Sequence, residues 1–276
     1  MTSLFDELYR IDYDETAAEV QGFIVDFFRS SNASGVVVGL SGGLDSSVVA
    51  TLCVKALSKE KVLGLIMPTD FTPTQDVEDA KALAQSLGIK TITIPITPIV
   101  NKYADLLGVS QDDPSAKIAY ANLRARVRMS LLYFHANHRN MIVAGTGDRS
   151  EILLGYYTKY GDGGVDFLPV GGIYKTQLRR LCRFIGVPEH IAQKPSSPQL
   201  YPGHRAVDEL PADYDVLDPI LYALHDRKLL IEQVVDRGFE RKVVEEVWRR
   251  FEQSHHKRTM PPTGPRPVPI QRIRGL

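Results

Sequence analysis

The chain predicts an α/β protein built on a doubly wound parallel sheet, Rossmann-like, with extra C-terminal helices. Two observations carry this expectation. Short β-branched runs alternate with amphipathic helical stretches through the first 145 residues. A glycine-rich turn sits between the first run and the helix after it, and further polar segments recur just past later runs, where open α/β sheets bind ligands.

The first helix is predicted over Asp14 to Ser31, with Val20, Phe23, Ile24, Phe27 and Phe28 on one stripe and Asp14 as N-cap. Gly35 to Leu40 (GVVVGL) reads as a buried strand, and Ser46 to Leu57 as the helix that follows it. Then come a strand at Val62 to Met67, a helix at Gln75 to Leu87 stopped by Gly88, and a strand at Lys90 to Ile94. Helices follow at Thr97 to Leu107 and Ser115 to Asn137, the second burying Leu123, Val127, Leu131 and Phe134, before a strand at Asn140 to Gly145. Beyond residue 155 the chain turns loop-rich, with helices expected at Lys175 to Phe184, Asp213 to His225 and Glu240 to His255. Lys194 to Leu210, with three prolines, reads as a mobile surface loop suited to covering a site. One domain is expected over residues 1–260, followed by a proline-rich extended tail over 261–276.

With 33 basic and 33 acidic residues among 276, the chain has no global electrostatic footprint for nucleic acid. Cys53 and Cys182 are too few and too far apart for a disulfide framework or a zinc site, and buried thiols in a reducing compartment are expected. No run of eighteen apolar residues occurs, and MTSLFDELYRIDYDE lacks the basic and apolar regions of a signal peptide. The expectation is a cytoplasmic protein with no membrane partner.

Gly39, Leu40, Ser41, Gly42, Gly43, Leu44, Asp45 and Ser46 span the turn from the first strand into its helix. Two glycines let backbone N–H groups converge on an anion, and the helix N-terminus adds its positive dipole end. There is no Gly-Lys-Ser/Thr ending and no Gly-x-Gly-x-x-Gly spacing, which separates this turn from the P-loop and the dinucleotide fingerprint. Instead SGGLDS resembles the signature of ATP pyrophosphatases, which cleave ATP between its α- and β-phosphates.

Glu151, in GTGDRSE past the strand ending at Gly145, can share a Mg²⁺ with Asp45; alone it reads equally as an acid complementing a helix N-terminus. Asn122 and Arg126 share a helix face, and Arg126 is by itself either an anion ligand or a solvated side chain. Lys159 and Lys175 are further cations near loops. His135 and His138 have a metal-pair spacing without a third ligand and read as helix-end residues.

In order, SGGLDSS, NLRARVRM, GTGDRSE, LGYYTKYGDGGVDFLPV, YKTQLRRLC, GVPEHI, KPSSPQL and SHHKR resemble the ammonia-dependent NAD synthetases, over residues 16 to 260. The resemblance implies amidation of deamido-NAD to NAD, the final step of NAD biosynthesis, with ATP as co-substrate and ammonia as nitrogen source. It implies an acyl-adenylate intermediate, release of AMP and pyrophosphate, and a homodimer. It also implies roles for residues of this sequence. Gly39 to Ser46, Thr146, Lys175 and Ser197 would bind ATP, and Asp45 and Glu151 would hold Mg²⁺. Arg126, Lys159, Asp166, His256 and Lys257 would bind deamido-NAD, while Asp45, Lys175 and Asp166 would serve the chemistry. Two segments depart from the family pattern: Thr69 and Asp70 after the second strand, and His204 and Arg205 in the covering loop.

Two rival readings are weaker. A tRNA-thiolating or lysidine-type pyrophosphatase would need a reactive cysteine or a basic RNA-binding surface. A nucleotide sensor would have no use for Asp45, Glu151 and Lys175 together.

Overall fold

The computed structural model describes residues 4–265. Its centre is a four-stranded, all-parallel sheet in the order β3-β2-β1-β4, formed by β1 (Gly35–Gly39), β2 (Val62–Ile66), β3 (Lys90–Thr93) and β4 (Met141–Ala144). The sheet is doubly wound. Its pleat sorts alternate residues to opposite sides. Val36 and Val38 pack with Ile24 of α2 (Tyr13–Ser31), Val48, Val49 and Leu52 of α3 (Leu44–Leu57), and Leu178 and Leu181 of α8 (Lys175–Phe184). Val37 and Val143 face Val100 of α5 (Thr97–Leu107) and Tyr120, Val127 and Ala136 of α6 (Lys117–Arg139). Burial on both faces is what makes β1 and β2 read as unbroken apolar runs. β3 lies at the sheet edge, largely exposed, with Lys90 and Thr91 there in place of such a run.

A third core joins Leu4 and Leu8 of α1 (Leu4–Tyr9), Leu153 and Leu154 of α7 (Arg149–Leu154), and Leu217 and Ile220 of α10 (Tyr214–Leu221). Val234 of α11 (Ile231–Val235) and Val244 and Val247 of α12 (Arg241–Gln253) complete it. These are the extra helices, and they lean on the end of the sheet through α7. Two further helices are α4 (Thr74–Leu87), closed by Gly88 in the left-handed conformation, and the short α9 (Glu189–Ala192). Among the described residues no helix is long and apolar enough to cross a membrane.

Several expectations shift for physical reasons. The N-cap of α2 is Asp12, whose Oδ1 accepts from the N–H groups of Asp14 and Glu15, so Asp14 lies inside the helix. α6 starts at Lys117, because Pro114–Ala116 forms a 3₁₀ turn capped by Asp113. At its far end Leu132, Tyr133 and Ala136 pack on the core, so Phe134 is left 63% exposed instead of buried. The helix expected to run to His225 passes into a π-helical turn at Tyr222–Asp226, three residues past Pro219, which has no N–H to donate. α1, α7, α9 and α11 are too short to show a period and went unpredicted. Residues 194–210, expected to be mobile, are instead pinned to the body of the protein. Pro261–Pro265 is exposed and without regular structure, and the rest of the expected tail lies outside the described residues.

Candidate active site

A cleft of about 610 Å³ opens beyond the carboxyl ends of β1, β2 and β4, within the range that holds small-molecule ligands. Its walls are the β1–α3 turn, Met67 to Pro73 after β2, Gly145 to Gly147 after β4, one face of α6, and residues 194–205 as a cover.

The β1–α3 turn makes the cradle. Gly43 is the N-cap of α3 and offers no side chain, so the N–H groups of the first turn keep no capping partner. Ser46 Oγ lies 3.1 Å from Ser41 Oγ and accepts from the Ser41 N–H, while Ser47 Oγ donates to the Gly43 carbonyl. The hydroxyls brace the turn from within. Gly42 is held at φ +76°, and a Cβ there would stand 2.0 Å from the Asp76 carbonyl oxygen, so only glycine fits. Gly39, Leu40, Ser41, Gly43, Leu44, Asp45 and Ser46 all line the cleft, and Gly42 does not.

Beside the cradle, Lys175 Nζ stands 2.7 Å from Asp45 Oδ1, 2.9 Å from Glu151 Oε1 and 3.0 Å from Asp148 Oδ2. Its side chain is 2% exposed, and Asp148 is fully buried. Burial works against the Lys175 charge, but the three carboxylates outweigh it and hold its pKa well above the usual lysine range. Burial likewise pushes the carboxyls of Asp148 and Glu151 upward, against the pull of the ammonium. With all groups ionised the cluster is one cation among three anions, a surplus of negative charge that favours a further cation. Asp45 and Glu151 line the cleft, whereas Asp148 is sealed behind them, where it caps α7 and receives the Glu151 N–H.

A second carboxylate backs this cluster. Asp218 on α10, fully buried, accepts from Ser150 Oγ at 2.6 Å and from both the N–H and hydroxyl of Thr176 at 2.8 Å. Ser150 Oγ in turn accepts the Lys175 N–H at 2.9 Å. One side chain thus ties the first turns of α7 and α8, which carry Glu151 and Lys175.

The covering segment is docked at both ends. Lys194 Nζ reaches the Gly42 carbonyl at 2.8 Å, Asp76 Oδ1 at 2.6 Å and Asp79 Oδ2 at 2.5 Å, and Gln199 donates to the other Asp76 oxygen. Arg124 holds the Leu200 carbonyl, and Lys117 lies over the Tyr201 ring. His204, buried, stacks on Tyr201 with centroids 3.8 Å apart and meets Tyr156 and Glu209. Ser197 donates to the His204 carbonyl and lines the cleft, as does Thr146. The His204 departure therefore builds the cover, while Arg205 pairs with Asp208 at its rim. Thr69 and Asp70 are engaged by Thr72 and Thr97, and the neighbouring Phe71 and Thr72 reach the cleft instead.

The residues expected to meet the second substrate fall outside the cleft walls. Arg126, exposed on α6, donates to the Lys159 carbonyl; Lys159 donates to the His256 carbonyl; Lys257 donates to those of Gly155 and Tyr157. They form a connected basic group on one side. Asp166 is apart from it: its carboxylate accepts from Tyr133 Oη at 2.9 Å and from the Val143 N–H at 2.7 Å. Asp162, from the same glycine-rich loop, lines the cleft with Arg128 across from it, and neither was singled out from sequence. Asp148 and Asp218 also escaped notice, since a capping aspartate and a mid-helix aspartate carry no local signature. His135 pairs with Arg139, and Cys53 and Cys182 are buried, their thiols pushed up to about 12 by burial.

Comparison with known proteins gives a consistent result. The NAD synthase family model matches residues 16–261. An NH3-dependent NAD+ synthetase of Hyperthermus butylicus is 48% identical over 99% of each chain, and one of Pyrobaculum aerophilum is 44% identical over 98% of each. Among solved structures, an NMN synthetase from Francisella tularensis aligns with a TM-score of 0.80 at 32% identity, covering 92% of this chain and 99% of that one. An NH3-dependent NAD synthetase from Campylobacter jejuni aligns at 0.78 and 31% identity, covering 92% and 100%.

Proposed function

Because the chain belongs to the NAD synthase family, we propose a division of labour in the cleft for the reaction of its curated relatives. That reaction is the ATP-dependent amidation of deamido-NAD by ammonia, which releases AMP and pyrophosphate and completes NAD biosynthesis. A carboxylate resists ammonia because its oxygen leaves poorly. Attack of the pyridine carboxylate on the α-phosphorus of ATP forms an acyl-adenylate and expels pyrophosphate; ammonia then displaces AMP.

The observation that carries this reading is the Lys175 ammonium held against Asp45 and Glu151 at the uncapped N-terminus of α3. The first-turn N–H groups of α3 receive phosphate oxygens, and Lys175 neutralises charge as the phosphoanhydride breaks. The covering segment keeps water from the adenylate, whose hydrolysis would waste ATP. Thr146 and Ser197 line the same cleft and serve ATP.

Asp45 and Glu151 suit Mg²⁺. Mg²⁺ commonly takes one or two carboxylates and fills its shell with phosphate oxygens and water, so no all-protein cage is needed. Among the described residues no group of three or more His, Cys, Asp or Glu is arranged to hold a metal alone. Bound there, Mg²⁺ would supply charge neutralisation for the departing pyrophosphate.

Arg126, Lys159, His256 and Lys257 offer the dinucleotide a basic surface beside the cleft, and Asp166, apart from them against β4, is the acid on the substrate side. For a homodimer, the apolar groups left exposed on α2 and α6, Phe23 and Phe134, are the surface to be covered. No nucleic acid or membrane partner is required by this chemistry.

The experiment is an assay of purified protein with ATP, Mg²⁺, deamido-NAD and ammonium, followed for NAD, AMP and pyrophosphate. ADP in place of AMP, or AMP formation independent of deamido-NAD, overturns the reading. Nicotinate mononucleotide run in parallel separates this activity from that of the Francisella relative, and kcat/KM should favour deamido-NAD.

A further inference from the structure

Lys194 contacts no predicted site residue through its charge, yet its ammonium lies 2.8 Å from the carbonyl oxygen of Gly42, inside the phosphate turn. We propose that Lys194 is a positioning residue which fixes the Gly42–Gly43 peptide plane so that the Gly43 N–H faces the cradle. The inference rests on the ATP-binding reading of that turn.

Across a trans peptide the C=O of one residue and the N–H of the next point in opposite directions. Clamping the Gly42 oxygen therefore also fixes the direction of the N–H of Gly43, the residue of the pair that lines the cleft. The same plane has one other hydrogen bond, a long one of 3.2 Å from the Gly43 N–H to Ser41 Oγ, so the Lys194 clamp is the shorter of its two tethers. Glycine on both sides makes rotation of the plane sterically cheap, and a flipped plane would turn a carbonyl oxygen toward an anion site. The clamp prevents that.

Lys194 is not free to act as a phosphate ligand itself. Its ammonium donates to the Gly42 carbonyl and to Asp76 and forms an ion pair with Asp79, and the two acids sit on α4, whose Asp76 carbonyl lies against Gly42. Lys194 is also the root of the covering segment, so docking of the cover and orientation of the cradle N–H are one event.

The test is calorimetric titration of the whole protein with Mg²⁺–ATP, which reads the cradle whatever the second substrate proves to be. Losing an aligned N–H to an anion should weaken ATP binding about tenfold to a hundredfold in Lys194→Met. Lys194→Gln, which keeps one donor for the carbonyl, should fall between, and Lys194→Arg should recover most of the affinity. Asp79→Asn, which keeps the ammonium on the carbonyl, should stay within about threefold of wild type. KM for ATP should follow these affinities while KM for deamido-NAD does not. Wild-type ATP affinity in both Lys194→Met and Lys194→Gln overturns the proposal. So does an equal loss in Asp79→Asn, which would make Lys194 a latch for the cover alone.

Discussion

Lys175 on α8 and Asp45 on α3, 130 residues apart in sequence, form an ion pair of 2.7 Å at the mouth of the cradle. The pair is one edge of a cluster in which a single ammonium offsets Asp45, Asp148 and Glu151. Removing the ammonium leaves buried carboxylates facing one another. Lys175→Met should lose about 3–5 kcal/mol of stability near neutral pH. Asp148 and Glu151, already raised by burial and raised further without the ammonium, would bind protons on folding, so the deficit should shrink as pH falls. Urea melts at two pH values check this. With saturating substrates kcat should drop about 10²- to 10³-fold; a variant with wild-type turnover would remove Lys175 from the chemistry.

Asp218 holds α7 and α8 together through Ser150 and Thr176, and burial, opposed by those hydrogen bonds, pushes its carboxyl up to about 7. An acid whose folded pKa exceeds its unfolded value binds more protons in the native state between the two. Its contribution to stability therefore falls as pH rises through that window, from about 4 to about 7. Asp218→Asn cannot ionise. The stability difference between wild type and this variant should tilt toward the variant by a few kcal/mol across that range, read from chemical denaturation at each pH. A parallel pair of pH–stability curves would contradict the assignment.

The contrast between these two lysine and aspartate sites explains what the sequence carried. Strands, helices and the cradle were legible because their signals are local: helical apolar spacing, paired glycines between a strand and a helix, and an unbroken apolar run such as GVVVG between polar breaks. Asp45, Glu151 and Lys175 were reached through ordered motifs, and the structure brings them within one cluster. Asp148 and Asp218 were not. A capping aspartate looks alike whether or not a lysine from another helix closes on it, and Asp218 acts through partners 68 and 42 residues away. The covering segment misled for the same reason. Its prolines and small polar residues are those of a free loop, but Lys194, Leu200, Tyr201 and His204 find anchors on α4, α6 and Glu209 that composition does not reveal.

Phe134 is 63% exposed on α6, and Phe23 is 46% exposed on α2. Aromatic groups of this size left in water favour burial against a second copy. Phe134→Lys should convert a dimer into a monomer in light scattering at micromolar concentration, with the sheet core and its melting behaviour unchanged. A wild-type protein that is monomeric under the same conditions would rule the face out.

Asp162 and Asp166 sit four residues apart on the loop between α7 and α8 but in different surroundings. Asp162 lines the cleft, while the Asp166 carboxylate is committed to Tyr133 and the Val143 N–H. If proximity to the adenylate decides which acid meets ammonium, Asp162→Asn should raise KM for ammonium about tenfold or more, the worth of a hydrogen bond to a charged group. Asp166→Asn should mainly loosen the edge of β4. Equal effects on ammonium KM would show that the cleft boundary is not what separates them.

Ammonia attacks only as the neutral base, since the ammonium ion has no lone pair to give. At fixed total ammonium and saturating ATP and deamido-NAD, the rate should rise with pH in the mildly alkaline range, approaching tenfold per unit while the amidation step limits turnover. The site itself should not mask this slope, because Lys175, held well above the usual lysine range, keeps its proton across the same interval. Initial rates across that range, replotted against free ammonia, should collapse onto one curve. A flat profile with amidation shown to be rate-limiting would mean that the cleft takes up ammonium and removes its proton internally, which would point back to the acid that lines it.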